Sequence, residues 1–425
     1  MRNSKETFVF GFALFASFFG AGNLILPPLL GYQSGSDWWL VAIGFIASAV
    51  IIPLLALFGH ARLQGTMMDF GKKVSPLFSL VFCLCVYLIA ITLPIPRTAA
   101  VTHEMAIAPF FGTSSLLTSS IYFALVLVFV LNRNSVLQIL GKFLTPLIVL
   151  ILLAIIGIGI FGSHDPMRAS IKEVPLIGGL LEGYQTYDAL GGILIGGVVT
   201  ISLNLKGYTS SDDKRKIIAK SGLIAATGLF IIYAGLIAIG AFYNSDFPES
   251  ISRTELLTGL SQKMLGNIGT TFLSVLVALA CFTTAVSVIV GTADFIKGLF
   301  NESKQAYLIT AIISCVAGVL VGQFDVHYII VVAIPALMFI YPLTIVLILL
   351  NVVPIRFARK MVFRMVVLVT FIFSIPDFLG VLFPEMNLTK FTSMVPFADR
   401  NLGWVLPALV VFVLLNLNNL RAKSD

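Results

Sequence analysis

Apolar runs long enough to cross a bilayer recur along the chain, near 7–31, 38–59, 75–96, 116–132, 136–162, 175–205, 217–243, 265–293, 306–323, 327–350, 361–383 and 402–418. A helix rises ~1.5 Å per residue, so roughly 20 apolar residues span the ~30 Å hydrocarbon core. The pattern predicts an all-α integral membrane protein with twelve transmembrane helices and short connections. The first run continues past signal-peptide length without a small-residue cleavage site, so it reads as a retained span.

Two runs are interrupted by residues that a plain membrane helix avoids. In the first, Phe18-Phe19-Gly20-Ala21-Gly22-Asn23 leads into Leu24-Ile25-Leu26-Pro27-Pro28. Gly20 and Gly22 loosen the backbone, Asn23 brings an amide to membrane depth, and the prolines deprive two carbonyls of helical partners. Bare backbone groups at that depth are tolerated where they face protein or a wet cavity, so the helix reads as broken to bind something. A plain Gly/Pro kink is the alternative. In the sixth run, Glu182-Gly183-Tyr184-Gln185-Thr186-Tyr187-Asp188-Ala189 is followed by Leu190-Gly191-Gly192. An acid near mid-bilayer costs ~2.5–3.5 kcal/mol on insertion scales and marks function, pairing or water. Asp188 acting as a structural helix cap is the competing reading.

Five spans separate the two breaks, and an odd number inverts the second unit relative to the first. The expected architecture is a five-plus-five inverted repeat with discontinuous helices 1 and 6 meeting at the midplane. Residues 1–162 form the first repeat, 163–350 the second, and 351–425 two further spans with a short tail.

Composition agrees with this class: 58% of 425 residues are hydrophobic, 11% are charged, and mean hydropathy is +1.01. The net charge of +7 reads as cationic loops on one side of a membrane rather than nucleic-acid binding. With a cytoplasmic N-terminus, only Arg97, Arg168, Lys172, Arg253, Lys263, Lys390 and Arg400 of the 27 basic residues fall outside, so both termini are expected in the cytoplasm. Cys83, Cys85, Cys281 and Cys315 lie in apolar runs and imply neither metal cluster nor disulfide framework.

Each broken helix offers two dipole ends at one depth. The outer half of span one, starting near Asn23, exposes N–H groups suited to a carboxylate. The carbonyls ending its inner half, near Phe18 and Phe19, suit a cation. In span six the outer half ends in carbonyls near Tyr187, and Asp188 adds a full negative charge, suiting an ammonium group or Na⁺. A carboxylate and an ammonium a few ångströms apart describe an α-amino acid. The candidate substrate ligands are Gly20, Ala21, Gly22, Asn23, Thr186, Tyr187, Asp188 and Ala189. Span eight adds Ala280-Cys281-Phe282-Thr283-Thr284 at similar depth, either oxygens for a hard cation or hydroxyls bonding back to their own helix.

These motifs, with Gly11-Phe12-Ala13-Leu14-Phe15 and Ile95-Pro96-Arg97-Thr98-Ala99, resemble the bacterial branched-chain amino acid:cation symporter family of the amino acid–polyamine–cation superfamily. The resemblance covers essentially the whole chain. It implies import of leucine, isoleucine and valine driven by Na⁺ or H⁺, and the five-plus-five fold of bacterial leucine transporters. By similarity to that fold, Ala16, Phe19, Ala280, Thr283 and Thr284 would form a Na⁺ site, with Asn23 beside the substrate carboxylate or a second ion. An acid at Asp188 departs from the better-known sodium transporters, leaving it to bind Na⁺, the ammonium or a proton.

For gates, Arg97 reads either as an outer partner of Glu182 or as an arginine snorkelling to the interface. Asp294 reads as an inner gate with Lys5 or Arg2, or as a surface salt bridge. The expected protein sits in the bacterial cytoplasmic membrane, is not an enzyme, needs no cofactor beyond the coupling ion, and calls for no ATPase subunit because no nucleotide-binding motif occurs. H⁺ coupling or a related neutral amino acid symporter is the nearest alternative. An intramembrane enzyme lacks a nucleophile–base pair, and a channel lacks a repeated pore loop or charged ring.

Overall fold

The computed structural model describes residues 2–20, 23–132, 136–208, 210–383, 385 and 394–421, and every regular element among them is helical. Helix α1 (Arg2–Phe18) stops at the first interruption, and α2 (Leu26–Ser34) resumes beyond it. Ala21 and Gly22 lie outside the described residues. Pro27 and Pro28 stand in the first turn of α2, where a missing N–H forfeits no helical bond and the fixed φ suits helix initiation. The prolines therefore start a second helix rather than kink a continuing one.

Gly35, at φ +44°, turns the chain through a 3-10 turn (Gly35–Asp37) into α3 (Trp38–Ile46), a π-turn (Ala47–Ile51) and α4 (Ile52–Leu63). Next come α5 (Met67–Gly71), α6 (Pro76–Thr92) and α7 (Pro94–Thr102), the last running into a π-turn at His103–Ile107. The third apolar run thus does not end at Pro94 and Pro96. Leu93 breaks the helix, and the prolines open a new one, placing Arg97 within a continuing span.

Helices α8 (Ser115–Asn132) and α9 (Val136–Phe161) precede the second interruption. There α10 (Pro175–Glu182) tightens into a 3-10 turn (Gly183–Thr186), Tyr187 takes a left-handed φ of 60°, and α11 (Asp188–Leu205) departs at a 44° bend. The chain closes with α12 (Ser211–Phe242), α13 (Arg253–Leu299, broken at Gly266 with φ 69°), α14 (Lys304–Gly322), α15 (Val326–Val352), α16 (Lys360–Leu382) and α17 (Val405–Arg421). Ser75, Ser210, Ser252, Ser303 and Asp325 cap the helices they precede by accepting first-turn N–H groups.

Among the described residues, nine helices are long and apolar enough to cross a membrane, and the bent pair α10–α11 makes up to ten. Glu6–Phe18 and Val405–Leu417 are shorter apolar helices. The expected boundary between the first two runs falls at the polar 3-10 turn Gly35–Asp37, although residues 26–63 otherwise form a nearly continuous helical stretch of 38 residues.

Two close helix contacts fix the frame around the breaks. A Cβ at Gly31 would lie 1.8 Å from the Ile237 carbonyl oxygen, and one at Gly240 2.0 Å from that of Pro28, so α2 and α12 touch backbone to backbone. Gly44 and Gly179 do the same for α3 and α10, at 1.9 Å from the Leu176 oxygen and 2.2 Å from the Val41 oxygen. Small residues permit such approach where lipid supplies no hydrophobic drive between helices. In this way α12 clamps α2, beyond the first break, and α3 clamps α10, before the second.

Candidate functional site

The two interruptions meet at a buried polar knot. The α1 ladder closes with the Phe19 N–H on the Phe15 carbonyl at 2.8 Å, after which a tight turn carries Gly20 N–H to Phe18 O and Asn23 N–H to Gly20 O. Asn23 then points across to α11. Its Nδ2 donates to Asp188 Oδ1 at 3.0 Å and also lies 3.3 Å from the Phe18 carbonyl. From α12, the Tyr233 hydroxyl donates to Asp188 Oδ2 at 3.1 Å. Asp188 is only 4% exposed, and its oxygens face donors, the arrangement an ionised carboxylate requires.

Asp188 opens α11, at the positive end of that helix. Its side-chain donors are nevertheless Asn23 and Tyr233, from α12 and the first break, rather than N–H groups of its own first turn. The cap reading is therefore replaced by a bridging role. Thr186 shapes the turn, donating to the Gly183 carbonyl at 2.8 Å and accepting the Asp188 N–H at 3.2 Å. Tyr187 carries the left-handed residue that lets the helix change direction, and Ala189 is fully buried behind it.

Arg97 corrects both expectations held for it. It is 3% exposed, so it does not snorkel, and Glu182 is not its partner. Because α7 continues past Pro96, the guanidinium reaches the site: Nη1 donates to the Gln185 carbonyl at 2.9 Å, Nη2 to Asn23 Oδ1 at 3.4 Å, and the group lies 5.3 Å from the centre of the Tyr187 ring. Asn23 thus stands between the buried Asp188 carboxyl and the buried Arg97 guanidinium, giving its N–H to the first and its oxygen to the second. Among the described residues, two atoms in the knot remain buried without a protein partner, the Arg97 Nε donor and the Gln185 Oε1 acceptor. A Cβ built at Gly20 would meet no atom of the described residues within 4 Å, its chain neighbours aside.

Glu182 pairs instead with Arg253 at 2.5 Å. Arg253 starts α13, and its neighbour Thr254 donates to Glu104 Oε2 at 2.6 Å while Glu104 Oε1 accepts the Val326 N–H at 2.8 Å. The segment before Gly266 is therefore tied to α10, to the turn after α7 and to the start of α15. Asp294 is half-buried on α13, within electrostatic reach of Tyr87, which stacks on Phe295 at 4.5 Å. The side chains of Arg2 and Lys5, its expected partners, lie outside the described ones.

The expected Na⁺ ligands are not assembled by direct bonds. Thr283 donates to the Ala280 carbonyl at 3.0 Å within α13, and Ala280 is buried while Ala16, Thr283 and Thr284 are half-buried. Helix α1, which carries Ala16 and leads to Phe19, packs chiefly on α12 and α11. Tyr233 and Arg253 were not singled out in the sequence. A phenol inside the apolar run 217–243 was the available signal for Tyr233, since a buried tyrosine hydroxyl needs a partner.

The family model described as branched-chain amino acid transport protein matches residues 3–421. The chain belongs to this family. Its relatives include the branched-chain amino acid transport system 2 carrier protein of Pseudomonas aeruginosa, 33% identical over 95% of this chain and 94% of its own length. The branched-chain amino acid permease BraB of Bacillus subtilis is 32% identical over 96% and 94%. The family member described here shares its fold with inward-facing Mhp1, at a TM-score of 0.60 and 12% identity over 98% of this chain and 90% of that one. It is also similar to the Eremococcus coleocola manganese transporter, at 0.62 and 12% over 98% and 94%. This family member is a multi-pass helical transport protein rather than an enzyme.

Proposed function

We propose that the chain is a cation-coupled secondary symporter that imports leucine, isoleucine and valine across the bacterial cytoplasmic membrane by alternating access. The observation that carries this reading is the Arg97–Asn23–Asp188 bridge, in which opposite charges are buried at two helix breaks. A zwitterion replaces the bridge: its carboxylate takes Arg97 and the N–H groups of the first break, and its ammonium takes Asp188 and Gln185. The unpartnered Arg97 Nε and Gln185 Oε1 match one donor and one acceptor to that ligand. The aliphatic side chain is buried against apolar residues of spans three, six and eight.

In this reading α1 with α2 forms one interrupted crossing and α3 with α4 the next. Counting α10–α11 as one and including α17 gives twelve, with residues 1–162 and 163–350 as inverted repeats, 351–425 outside them and both termini in the cytoplasm. Na⁺ is the coupling ion, taken by oxygens of Ala16, Phe19, Ala280, Thr283 and Thr284 as the two halves rock together. Ion binding stiffens the first break, so ion and substrate favour each other's binding by the same factor. Rocking of spans 1, 2, 6 and 7 then exposes the site inward. The Glu182–Arg253 pair supports an arrangement closed on the outer side.

Labelled leucine uptake into proteoliposomes, with and without an inward Na⁺ gradient at fixed pH, tests this. Na⁺-dependent accumulation is expected. Uptake indifferent to Na⁺ but driven by a pH gradient contradicts Na⁺ coupling and supports the second reading, H⁺ coupling with Asp188 as carrier. The observation favouring that reading is a protonatable acid almost wholly buried at the break.

A further inference from the structure

A cleft of about 360 Å³ opens between α6, α15 and α16, far in sequence from either break. Its lining is almost wholly apolar, with Phe78 and Val81 from α6, Phe339 from α15 and Phe371 from α16. Val81 is 50% exposed and Phe371 38%, so the cleft opens sideways, toward the lipid of any bilayer that α6 and α16 cross. One polar residue lines it. Arg364, one turn into α16, donates its Nε to the Val74 carbonyl at 3.0 Å, and no other hydrogen bond or ion pair joins its guanidinium among the described residues.

That end of the cleft is strongly basic. Lys73 donates to the Ala358 carbonyl at 3.2 Å and lies 4.6 Å from the Phe363 ring centre, so its ammonium is fixed between the α5–α6 connection and α16. Lys72 precedes it in sequence, and Lys360 opens α16. The one acid there is Asp69, 3.6 Å from Lys72. No other acid occurs before Glu104 on one side, or between Asp325 and Asp377 on the other. An apolar slot with a guanidinium at its mouth and uncompensated positive charge around it complements an amphiphile with an anionic head. Basic pockets between membrane helices recognise anionic lipids by this combination, and Arg presents a planar fork that matches phosphate oxygens.

We propose that this cleft binds one anionic phospholipid, its acyl chain lying along Phe78, Phe339 and Phe371 and its phosphate on Arg364. Occupancy stitches α6 to α15 and α16, joining the repeat to the helices outside it.

The full chain is purified, stripped of lipid, and offered an equimolar mixture of phosphatidylglycerol and phosphatidylcholine, and bound lipid is counted by native mass spectrometry. Retention of one phosphatidylglycerol, several-fold over phosphatidylcholine, is expected, together with a higher melting temperature in phosphatidylglycerol. Arg364→Ala should abolish the preference. Val81→Trp, at an exposed position, fills the slot without changing charge and should lower retention, which keeps a result in hand should Arg364→Ala unfold. Equal retention of both lipids overturns the proposal, as does a preference unchanged in both variants. A melting shift reproduced by soluble glycerol phosphate alone also overturns it, because the head group would then suffice.

Discussion

Asn23 holds Arg97 and Asp188 apart and together. Removing it in Asn23→Ala leaves a carboxylate oxygen and a guanidinium N–H without their protein partner, a loss of ~1–3 kcal/mol for buried polar groups. Because a bound zwitterion pairs those same two groups in place of Asn23, the ligand-free protein bears the loss: its melting temperature is expected to drop, while leucine affinity, read by equilibrium binding on purified protein, is expected to rise by roughly 10-fold. Gly20→Leu tests the site from the other side: a Cβ there meets no described atom within 4 Å beyond its chain neighbours, so the variant should fold, and the longer side chain should block leucine binding. Unchanged binding would remove Gly20 from the site. At this scale the sequence was a partial guide. The amide at Asn23 and the acid at Asp188 stand out as polar residues amid apolar runs. Arg97 was misplaced because two prolines look like a helix end, whereas at the first turn they begin one.

Broken helices need rigid neighbours, and the glycine contacts supply them. Gly179→Val would push a Cβ to 2.2 Å from the Val41 oxygen, separating α3 from α10. Such overpacking costs ~1–3 kcal/mol, so the melting temperature should drop clearly, while Gly20→Ala, with nothing within 4 Å, should leave it unchanged. The Glu182–Arg253 pair belongs to this scale too, because it joins α10 to α13. Both side chains are mostly buried, at 18% and 14% exposure, so the pair acts as a latch rather than a surface contact. Arg253→Gln and Glu182→Gln should each increase labelling of Leu181→Cys by a membrane-impermeant thiol reagent, and the double variant should add little. Full additivity would mean that the two residues act separately. The positions of both interruptions were legible as Gly, Pro and polar residues at membrane depth. Glu182 was legible as a gate candidate, but its partner was not, because 71 residues separate the two and Arg253 sits in no distinctive motif.

The whole molecule sets what the site can discriminate. Burial of aliphatic surface contributes ~0.8 kcal/mol per CH₂, so three extra carbons favour leucine over alanine by about 2.4 kcal/mol, roughly 60-fold. Isomers of equal area are separated weakly by such a pocket. Competition against labelled leucine should therefore rank isoleucine and valine near leucine and alanine far below. A flat ranking would contradict an apolar side-chain pocket. Fold class was readable because length and hydropathy alone fix a bundle of membrane helices. The number of separate crossings was less so, because the boundary in residues 26–63 is only the short polar turn Gly35–Asp37.

The central claim is that buried Arg97 and Asp188 together grip both charges of one amino acid. It is tested most directly by competing labelled leucine, on purified protein, with two analogues that each keep the aliphatic chain and one charge: 4-methylpentanoate and 3-methylbutylamine. The account predicts that neither displaces leucine at a 100-fold excess, ~2.7 kcal/mol of binding lost by either deletion. Displacement by one of them at concentrations close to those of leucine itself would show that a single charge suffices, and would contradict the two-handed site.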